Sequence, residues 1–305
     1  MSGEEEPYWI GRNPTEQQRL NRQHFIWTKC ISYLIHPSIK SNLSQDAKIA
    51  DIGTGTGIWL NEVSKVSPPT YTFTGFDNSS AQFLSPEELS PNVKLQIGDF
   101  MKPFPEELHG TFDLVNIRLI VVTMTGGRGV WERTLKNVLT LLKPGGFIQW
   151  IEGNFFGSRG YRKSGGLTPY SSSLTQGQLQ MNNTFIRRFD WNFPASWTQL
   201  YTSAGLTHVF EDLVSTDRVP EQRREITELG IGAVFGALSN LAATAKAKEM
   251  EGKDGTWPEE EVQRVRGLAV QEMEAGVYYR WDIHVTVGRK PAVDNGVAQK
   301  GDTKE

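Results

Sequence analysis

The chain has 305 residues, of which 38% are hydrophobic and 22% are charged, proportions typical of a soluble globular protein. Its formal net charge of −3 gives no global basic field that would attract nucleic acid. The single cysteine, Cys30, excludes a disulfide framework or a cysteine metal cluster within the chain. The acidic start is not typical of a signal peptide, and no apolar run reaches the about 18 residues of a membrane span. We therefore expect a cytoplasmic protein with no nucleic-acid, membrane or metal partner.

The first predicted element is a helix that opens at Asn13-Pro14-Thr15-Glu16, where a polar cap, a proline and an acid suit the first turn. Steps of three and four residues then predict one shared helix face, made of Leu20, His24, Trp27 and Ile31. A break at His36-Pro37 separates this helix from a short second helical stretch.

The stretch Lys48–Leu60 follows, in which a short apolar run ends in Asp51. Three glycines then stand at alternate positions: Gly53, Gly55 and Gly57. This pattern predicts a strand, a tight turn and a helix, because glycine permits positive φ and close backbone approach. The N-terminus of the helix presents unpaired N–H groups, so the turn can bind a polar cofactor group. The spacing differs from the dinucleotide fingerprint and from a P-loop, although the turn alone leaves a dinucleotide site open.

Four more signals of a strand that ends in polar residues follow in chain order: Tyr71–Asp77, Val93–Phe100, Phe112–Arg118 and Leu142–Glu152. Strands alternating with helix-length segments predict a parallel sheet whose ligands lie outside the carboxyl ends of the strands. Asp77, 20 residues after Gly57, is placed to accept hydrogen bonds from ribose hydroxyls. An acid at this position could equally cap the next turn.

Together these five signals resemble those of the class I S-adenosylmethionine (SAM) methyltransferases. The Arg-Leu-x-x-Gln-His run, Arg19–His24, precedes the Asp51 motif and resembles the fungal secondary-metabolism branch, such as the gliotoxin-pathway N-methyltransferases and LaeA-like regulators. The resemblance implies SAM as cofactor and an α/β fold. In this fold a Rossmann-like, doubly wound sheet of seven strands, the last antiparallel, carries an N-terminal helical lid and a helical insertion.

The resemblance also implies a set of cofactor-binding residues: Asp51, Gly53, Thr54, Gly55, Gly57, Asp77, Asn78, Asp99, Phe100, Asn116 and Arg118. In the family the glycine loop contacts the methionine end of SAM. The acid at the position of Asp99 accepts from the adenine amino group, and the neighbouring side chain, here Phe100, packs on the ring.

Proton transfer from an amine or a phenol can require a base, and His24 and Glu152 are the candidates for this catalytic role. Histidine titrates near neutrality without help, whereas Glu152 would need a raised pKa. His24 could instead be a core histidine. We expect three further residues to contact the substrate: Gln23, Trp27 and His208.

The expected organisation is a lid over residues 1–47, a SAM-binding α/β core over 48–156 and the rest of the sheet over 157–291, with a disordered tail over 292–305. Glycine and serine in 157–175 predict a mobile loop. Residues 220–275 are predicted to be helical and to form a substrate cap or a homodimer surface. The last strand, Val277–Lys290, is predicted to belong to an antiparallel edge hairpin.

These observations predict a SAM-dependent methyltransferase that acts on a nitrogen or oxygen atom of a small secondary metabolite. Two alternatives stay open, because a fold does not fix a function. One is an enzyme that uses the SAM site for a non-methylating cyclisation or rearrangement, and the other is a LaeA-like regulatory protein. A dinucleotide oxidoreductase is disfavoured by the glycine spacing and by Asp99-Phe100.

Overall fold

The computed structural model describes residues 14–162, 169–170, 172–247 and 255–292. The helices in these ranges are α1 (Pro14–Ile31), α2 (Pro37–Lys40), α3 (Ile58–Lys65), α4 (Val130–Val138), α5 (Ser173–Phe189), α6 (Trp197–Ser203), α7 (Arg223–Ala247) and α8 (Glu259–Glu274). The strands are β1 (Lys48–Ile52), β2 (Thr72–Asp77), β3 (Val93–Ile97), β4 (Phe112–Arg118), β5 (Leu142–Arg162), β6 (Pro169–Tyr170), β7 (Thr207–Ser215) and β8 (Val277–Arg289). Short 3-10 helices lie at Glu106–Leu108, Val121–Thr123 and Pro220–Gln222.

The strands form one mixed sheet in the order β3-β2-β1-β4-β5-β8-β7, and the two-residue β6 pairs with the side of β5. Strands β1 to β5 are parallel, whereas β8 runs antiparallel to both of its neighbours, β5 and β7. The predicted α/β fold with an antiparallel last strand is confirmed, and β6 is added to the seven expected strands. The carboxyl ends of β1, β2, β3 and β4 therefore meet at one edge, where the sequence places the candidate site.

One prediction about the second half of the sheet was wrong. The expected loop at 157–162 is the end of β5, which pairs with β8 from Arg159↔Arg280 to Arg162↔Val277. A register shift between Asn154 and Arg159 lets the glycine- and serine-rich segment stay in the sheet. Residues 163–168 and 171 of the same prediction, and the predicted tail from 293 onward, lie outside the described residues.

The last strand, β8, forms the predicted antiparallel pair at the edge of the sheet with β7, and β8 is the inner strand of that pair. Strand β8 lies inside the sheet between β5 and β7, and nearly all of its residues are buried or half-buried. Strand β7 forms the edge and carries exposed Phe210 and Leu213. Helices cover both faces of the sheet at β8, so the alternation of residue types along this strand does not mark a solvent-exposed face.

Alternation along β5 and β8 separates two faces of the sheet, called here the front and the back. On the back face, Trp150 and Glu152 stand beside Thr286 and His284, and α4 and α6 cover them. On the front face, helix α1 covers Gly153 with the ring of Trp27. Helices α5, α7 and α8 pack against one another and continue this front layer over β5 and β8.

Helix α7 is strongly apolar because it is a core helix of this layer. Together with the preceding 3-10 turn it spans Pro220–Ala247, and its most apolar window of 18 residues has a mean hydropathy of 1.4, so by length and composition it would also suit a membrane span. Within its most apolar window, 61% of the helix is buried inside the protein, where Phe235, Leu238 and Leu241 join the main core. The predicted helical character of 220–275 is therefore present in both described parts, α7 and α8.

Candidate functional site

The glycine loop between β1 and α3 has a backbone that only glycine adopts without strain. Gly53, Gly55 and Gly57 have φ of 66°, 58° and 82°. A Cβ atom at Gly53 would lie 2.7 Å from Cγ2 of Ile120, and one at Gly57 would lie 2.7 Å from Cδ1 of Leu95. Two of the three glycines are thus required by packing as well as by φ, and the loop presents bare backbone to the carboxyl edge of the sheet.

Asp77, at the end of β2, holds this loop in place. Its Oδ2 accepts from the Gly55 N–H at 2.9 Å, and its Oδ1 accepts from the Ser79 N–H at 3.2 Å. The carboxylate is half-buried, and Asn78 beside it is exposed. A carboxylate offers about four lone-pair sites, so Asp77 can order the loop and still accept from hydroxyls of a ligand.

A buried chain of polar side chains runs across β1, β4 and β5 beneath the loop. Asp51 accepts from the Thr54 hydroxyl at 2.7 Å and from the Asn116 amide at 2.7 Å. Asn116 Oδ1 accepts from the Gln149 amide at 2.8 Å, and Gln149 Oε1 accepts from the His36 N–H at 2.7 Å. The three strand residues are register neighbours, so the chain connects the glycine loop to the turn after α1.

The electrostatics of Asp51 follow from its burial. Loss of solvent raises its pKa to about 6, and the hydrogen bonds from Thr54 and Asn116 and the charge of Arg118 oppose that rise. Asn116 is fully buried and uses both ends of its amide. The expected cofactor contact of Asn116 is therefore corrected: this residue supports Asp51 from inside the sheet.

Arg118, at the end of β4, donates from its Nη2 to Nδ1 of His24 in α1 at 2.9 Å. Because a guanidinium can only donate, Nδ1 is the acceptor and the neutral imidazole carries its proton on Nε2. Burial, with the charge of Arg118 added, lowers the pKa of His24 to about 2. His24 is thus a buried, neutral histidine whose Nδ1 lone pair is taken by Arg118, and its role as a base stays a prediction.

Glu152 is not on the cleft side of the sheet. Its carboxyl group is fully buried on the back face and accepts three N–H groups: Ile120 N at 3.0 Å, Gly153 N at 3.1 Å and Trp150 Nε1 at 3.4 Å. Burial raises its pKa to about 8, although these donors oppose the rise. The predicted catalytic role is corrected to a structural one, because Glu152 fixes the backbone of Ile120, whose side chain packs on Gly53.

Asp99 and Phe100, which follow β3, lie on the other side of the loop. Asp99 accepts from the Met101 N–H at 2.9 Å and pairs with Lys102 at 3.0 Å. Phe100 is buried and its ring lies 3.9 Å from where a Cβ of Gly53 would be. The ring of Phe100 therefore lies beside the glycine loop, and the adenine contact of Asp99 stays a prediction.

Helix α1 lies across the glycine loop. Leu20 Cδ1 is 3.6 Å from the position of a Cβ at Gly55, and the Thr56 hydroxyl donates to Asn21 Oδ1 at 2.7 Å. Gln23 accepts from the Arg19 guanidinium on the same helix at 3.1 Å. One turn beyond His24, Trp27 is buried against Gly153 on the front face.

His208 is far from this site. It is exposed at the start of β7, beside Thr207, whose register partner is Arg289 at the end of the antiparallel β8. That is the edge of the sheet where the parallel strands begin, opposite to the glycine loop. The predicted substrate contact is corrected, because the sequence order of strands does not reveal which edge a residue at a strand start occupies.

Three residues that support the glycine loop were not predicted from the sequence as part of the site: Gln149, Ile120 and Leu20. Gln149 was part of a recognised strand but gave no sign of its partner, Asn116, which lies on β4. Ile120 and Leu20 are apolar residues in apolar surroundings. Only the residue type of Gln149, a polar side chain in a buried strand, could have indicated a role.

Comparison with known proteins places these features in context. Residues 49–146 match a family described as a methyltransferase domain. The chain is 27% identical to methyltransferase grgD of a Penicillium species over 300 residues, which cover 94% of this chain and 98% of that protein. It is 31% identical to N-methyltransferase tcpN of Claviceps purpurea over 289 residues, which cover 92% and 95%.

Among solved structures, the chain resembles one in the complex between the Trm112 methyltransferase activator of Haloferax volcanii and its methyltransferase. The TM-score is 0.50 at 15% identity, and the match covers 94% of this chain and 100% of that chain. At this identity the likeness shows a common fold. It agrees with the α/β sheet and the antiparallel β8 described above.

Proposed function

This chain belongs to the methyltransferase family that includes these two fungal proteins, and we propose that it transfers a methyl group from SAM to a nitrogen or oxygen atom of a small secondary metabolite. The observation that carries the proposal is the glycine loop. Its backbone is kept bare by packing at Gly53 and Gly57, Asp77 stands at the end of the neighbouring strand β2, and Asp99 follows β3, the next strand of the sheet.

The residues present suit SAM as the cofactor. A Cβ atom at Gly53 would enter the space between Ile120 and Phe100, so the loop needs a residue without a side chain at this position. The Asp77 carboxylate can accept hydrogen bonds from ribose hydroxyls, and the Asp99 carboxylate can accept one from the adenine amino group. The Arg118 guanidinium can bind the carboxylate at the methionine end of SAM. When bound, SAM supplies a methyl group that its sulfonium already activates. The protein residues then have to align the acceptor and exclude water.

Both side chains that were expected to act as bases are committed to hydrogen bonds. His24 Nδ1 accepts from Arg118, and Glu152 is enclosed on the back face. Alignment is therefore the contribution we assign to this chain, with His24 positioning Arg118. A neutral amine presents its own lone pair and suits such a site. The 31% identity to an N-methyltransferase supports nitrogen as the acceptor atom. Neither the fold nor the comparisons favour the cyclase or the regulatory alternative.

Ligand-induced thermal stabilisation tests the proposal. SAM and S-adenosylhomocysteine, each at about 100 times its Kd, should stabilise the protein by about 2.7 kcal/mol, or roughly 4 °C in Tm. Asp77→Ala should abolish the shift, because it removes the acceptor of Gly55 N–H together with the proposed ribose contact.

Asp113→Ala is the matched control. Asp113 also accepts a backbone N–H, from Lys48 at 2.8 Å, but it stands near the amino end of β4, away from the loop. This variant should keep the ligand shift of the wild type. A wild-type protein whose Tm responds to neither ligand would disprove cofactor binding at this site.

A further inference from the structure

An aromatic cluster lies on the front face beside the proposed site. Trp281 of β8 is its centre, with ring centroids 5.6 Å from Phe155, 5.4 Å from Tyr279 and 6.3 Å from Trp27 of α1. Trp27, Tyr279 and Trp281 are buried, while Phe155 is partly exposed. Phe155 is therefore the ring of the cluster that solvent partly reaches.

Both tryptophans of the cluster hold an unsatisfied hydrogen-bond donor. Trp27 is 1% and Trp281 is 4% exposed, and neither Nε1–H has a hydrogen-bond partner among the described residues. A buried donor without an acceptor costs about 1–3 kcal/mol, so such groups are rare unless something else satisfies them. Two of them in neighbouring rings indicate a place that receives a hydrogen-bond acceptor.

Three polar side chains next to the cluster are paired with one another or with the backbone. The Gln178 amide donates to Asn182 at 2.8 Å, and Asn182 donates to the carbonyl of Phe155 at 3.3 Å. The Tyr279 hydroxyl donates to Gln178 Oε1 at 3.4 Å. These bonds fix α5 against β5 and β8, so the two indole N–H groups differ from their surroundings in having no acceptor there.

The cluster is continuous with the proposed cofactor site. Trp27 lies one helical turn after His24, which contacts Arg118 at the end of β4. Its ring also covers Gly153, where a Cβ would lie 2.9 Å from Cη2 of Trp27. Glycine at this position brings the indole against the backbone of β5, next to the carboxyl edge that the cofactor loop shares.

We propose that Trp27 and Trp281 form the acceptor subsite, and that it takes an uncharged, planar molecule whose carbonyl oxygen accepts from an indole N–H. This inference rests on the proposed function. Aromatic faces favour a planar ring. A buried ionic group would find no compensating charge on the neighbours of the two indoles described above: Phe155, Tyr279, Gln178 and Asn182. The partly exposed Phe155 is the side chain that must move to admit the ligand.

The experiment uses the full chain saturated with S-adenosylhomocysteine and measures the affinity of three probes by NMR titration. The probes are coumarin, 1,2-dihydronaphthalene, which has a similar ring system without oxygen, and 2-naphthoate, which is charged. Coumarin should bind about fivefold more tightly than the hydrocarbon, as one neutral hydrogen bond of about 1 kcal/mol implies. The indole signals of Trp27 or Trp281 should shift with coumarin.

Trp27→Phe and Trp281→Phe remove the N–H and keep a ring, so each should reduce the preference for coumarin over the hydrocarbon. Trp197→Phe is the matched control, because Trp197 is also buried with an unpartnered Nε1 in the described structure, but on the back face. Equal affinity for coumarin and the hydrocarbon, or tighter binding of 2-naphthoate, would overturn the proposal. So would a coumarin-dependent shift confined to Trp197. Saturation by S-adenosylhomocysteine is checked first, so a failure of the proposed function is seen separately.

Discussion

Replacement of Glu152 by glutamine should change how the stability of the protein depends on pH. In the folded state the carboxyl group is fully buried, and its pKa is raised from 4.5 to about 8 by loss of solvent. In the unfolded chain the same group ionises near 4.5. Between these two values the folded protein binds one more proton than the unfolded chain, so raising the pH favours unfolding. Glutamine cannot ionise and removes this dependence.

The magnitude follows from the two pKa values of Glu152. Each pH unit within the window costs about 1.4 kcal/mol, and the slope fades as the pH passes the folded pKa of about 8. Between pH 6.5 and 8.5 the wild type should lose about 2 kcal/mol, equivalent to roughly 3 °C in Tm for a chain of this length. His24 does not disturb this range, because its own linkage acts only below its unfolded pKa of 6.5.

The assay is thermal or urea unfolding of both proteins at half-unit steps from pH 6.5 to 8.5. As the pH rises from 6.5 to 8.5, the difference in free energy of unfolding between Glu152→Gln and the wild type should shift by about 2 kcal/mol in favour of the variant. This holds whether the variant is more or less stable than the wild type at pH 6.5. Asp51→Asn is the control. Burial raises the pKa of Asp51 only to about 6, so Asp51 is largely ionised throughout pH 6.5 to 8.5 and its replacement should leave the slope nearly unchanged there. A Glu152→Gln variant that retains the wild-type slope would refute the assignment of Glu152 as a protonated, buried group.

Two further variants test the site. Gly53→Ala should reduce the affinity for S-adenosylhomocysteine at least about tenfold in a titration, because it places a Cβ atom 2.7 Å from Ile120 at a residue with a positive φ. Gly110→Ala is the control, because Gly110 also has a positive φ, 62°, but no atom lies within 4 Å of the position that its Cβ would take. This variant should leave the affinity unchanged. The wild type should lose stability as the pH falls below 6.5, because the folded protein holds the pKa of His24 below its unfolded value. The free energy of unfolding of His24→Gln should therefore rise by about 2 kcal/mol relative to that of the wild type when the pH falls from 7 to 5. Equal pH dependence of the two proteins in unfolding experiments would contradict a neutral His24.

The glycine loop and the end of β2 were predictable because their signals are local. Three glycines at alternate positions and an acid 20 residues later fix a turn and a strand end without reference to the rest of the chain. The strand signal that ends at Phe100 also led to an aromatic ring that lies beside the loop. These are the parts of the site in which residue type, spacing and backbone geometry all agree.

The remaining features depend on contacts between distant segments. The role of Asn116 follows from the strand register that sets it between Asp51 and Gln149, and no local pattern contains that register. Glu152 looked like a base because its strand reaches the carboxyl edge, but alternation turns its side chain to the back face. Likewise, the glycine- and serine-rich end of β5 is a strand only because β8, far along the chain, pairs with it.

Helix α1 joins the cofactor loop to the aromatic cluster. Within two turns it places Leu20 on Gly55, His24 on Arg118 and Trp27 on Gly153. The helix contains no glycine and no proline after its first residue, so it has none of the usual causes of a kink that would let one half move alone. Displacement of α1 would break all three contacts together. We therefore expect a ligand that holds α1 in place at the proposed cofactor site to order the proposed acceptor site as well.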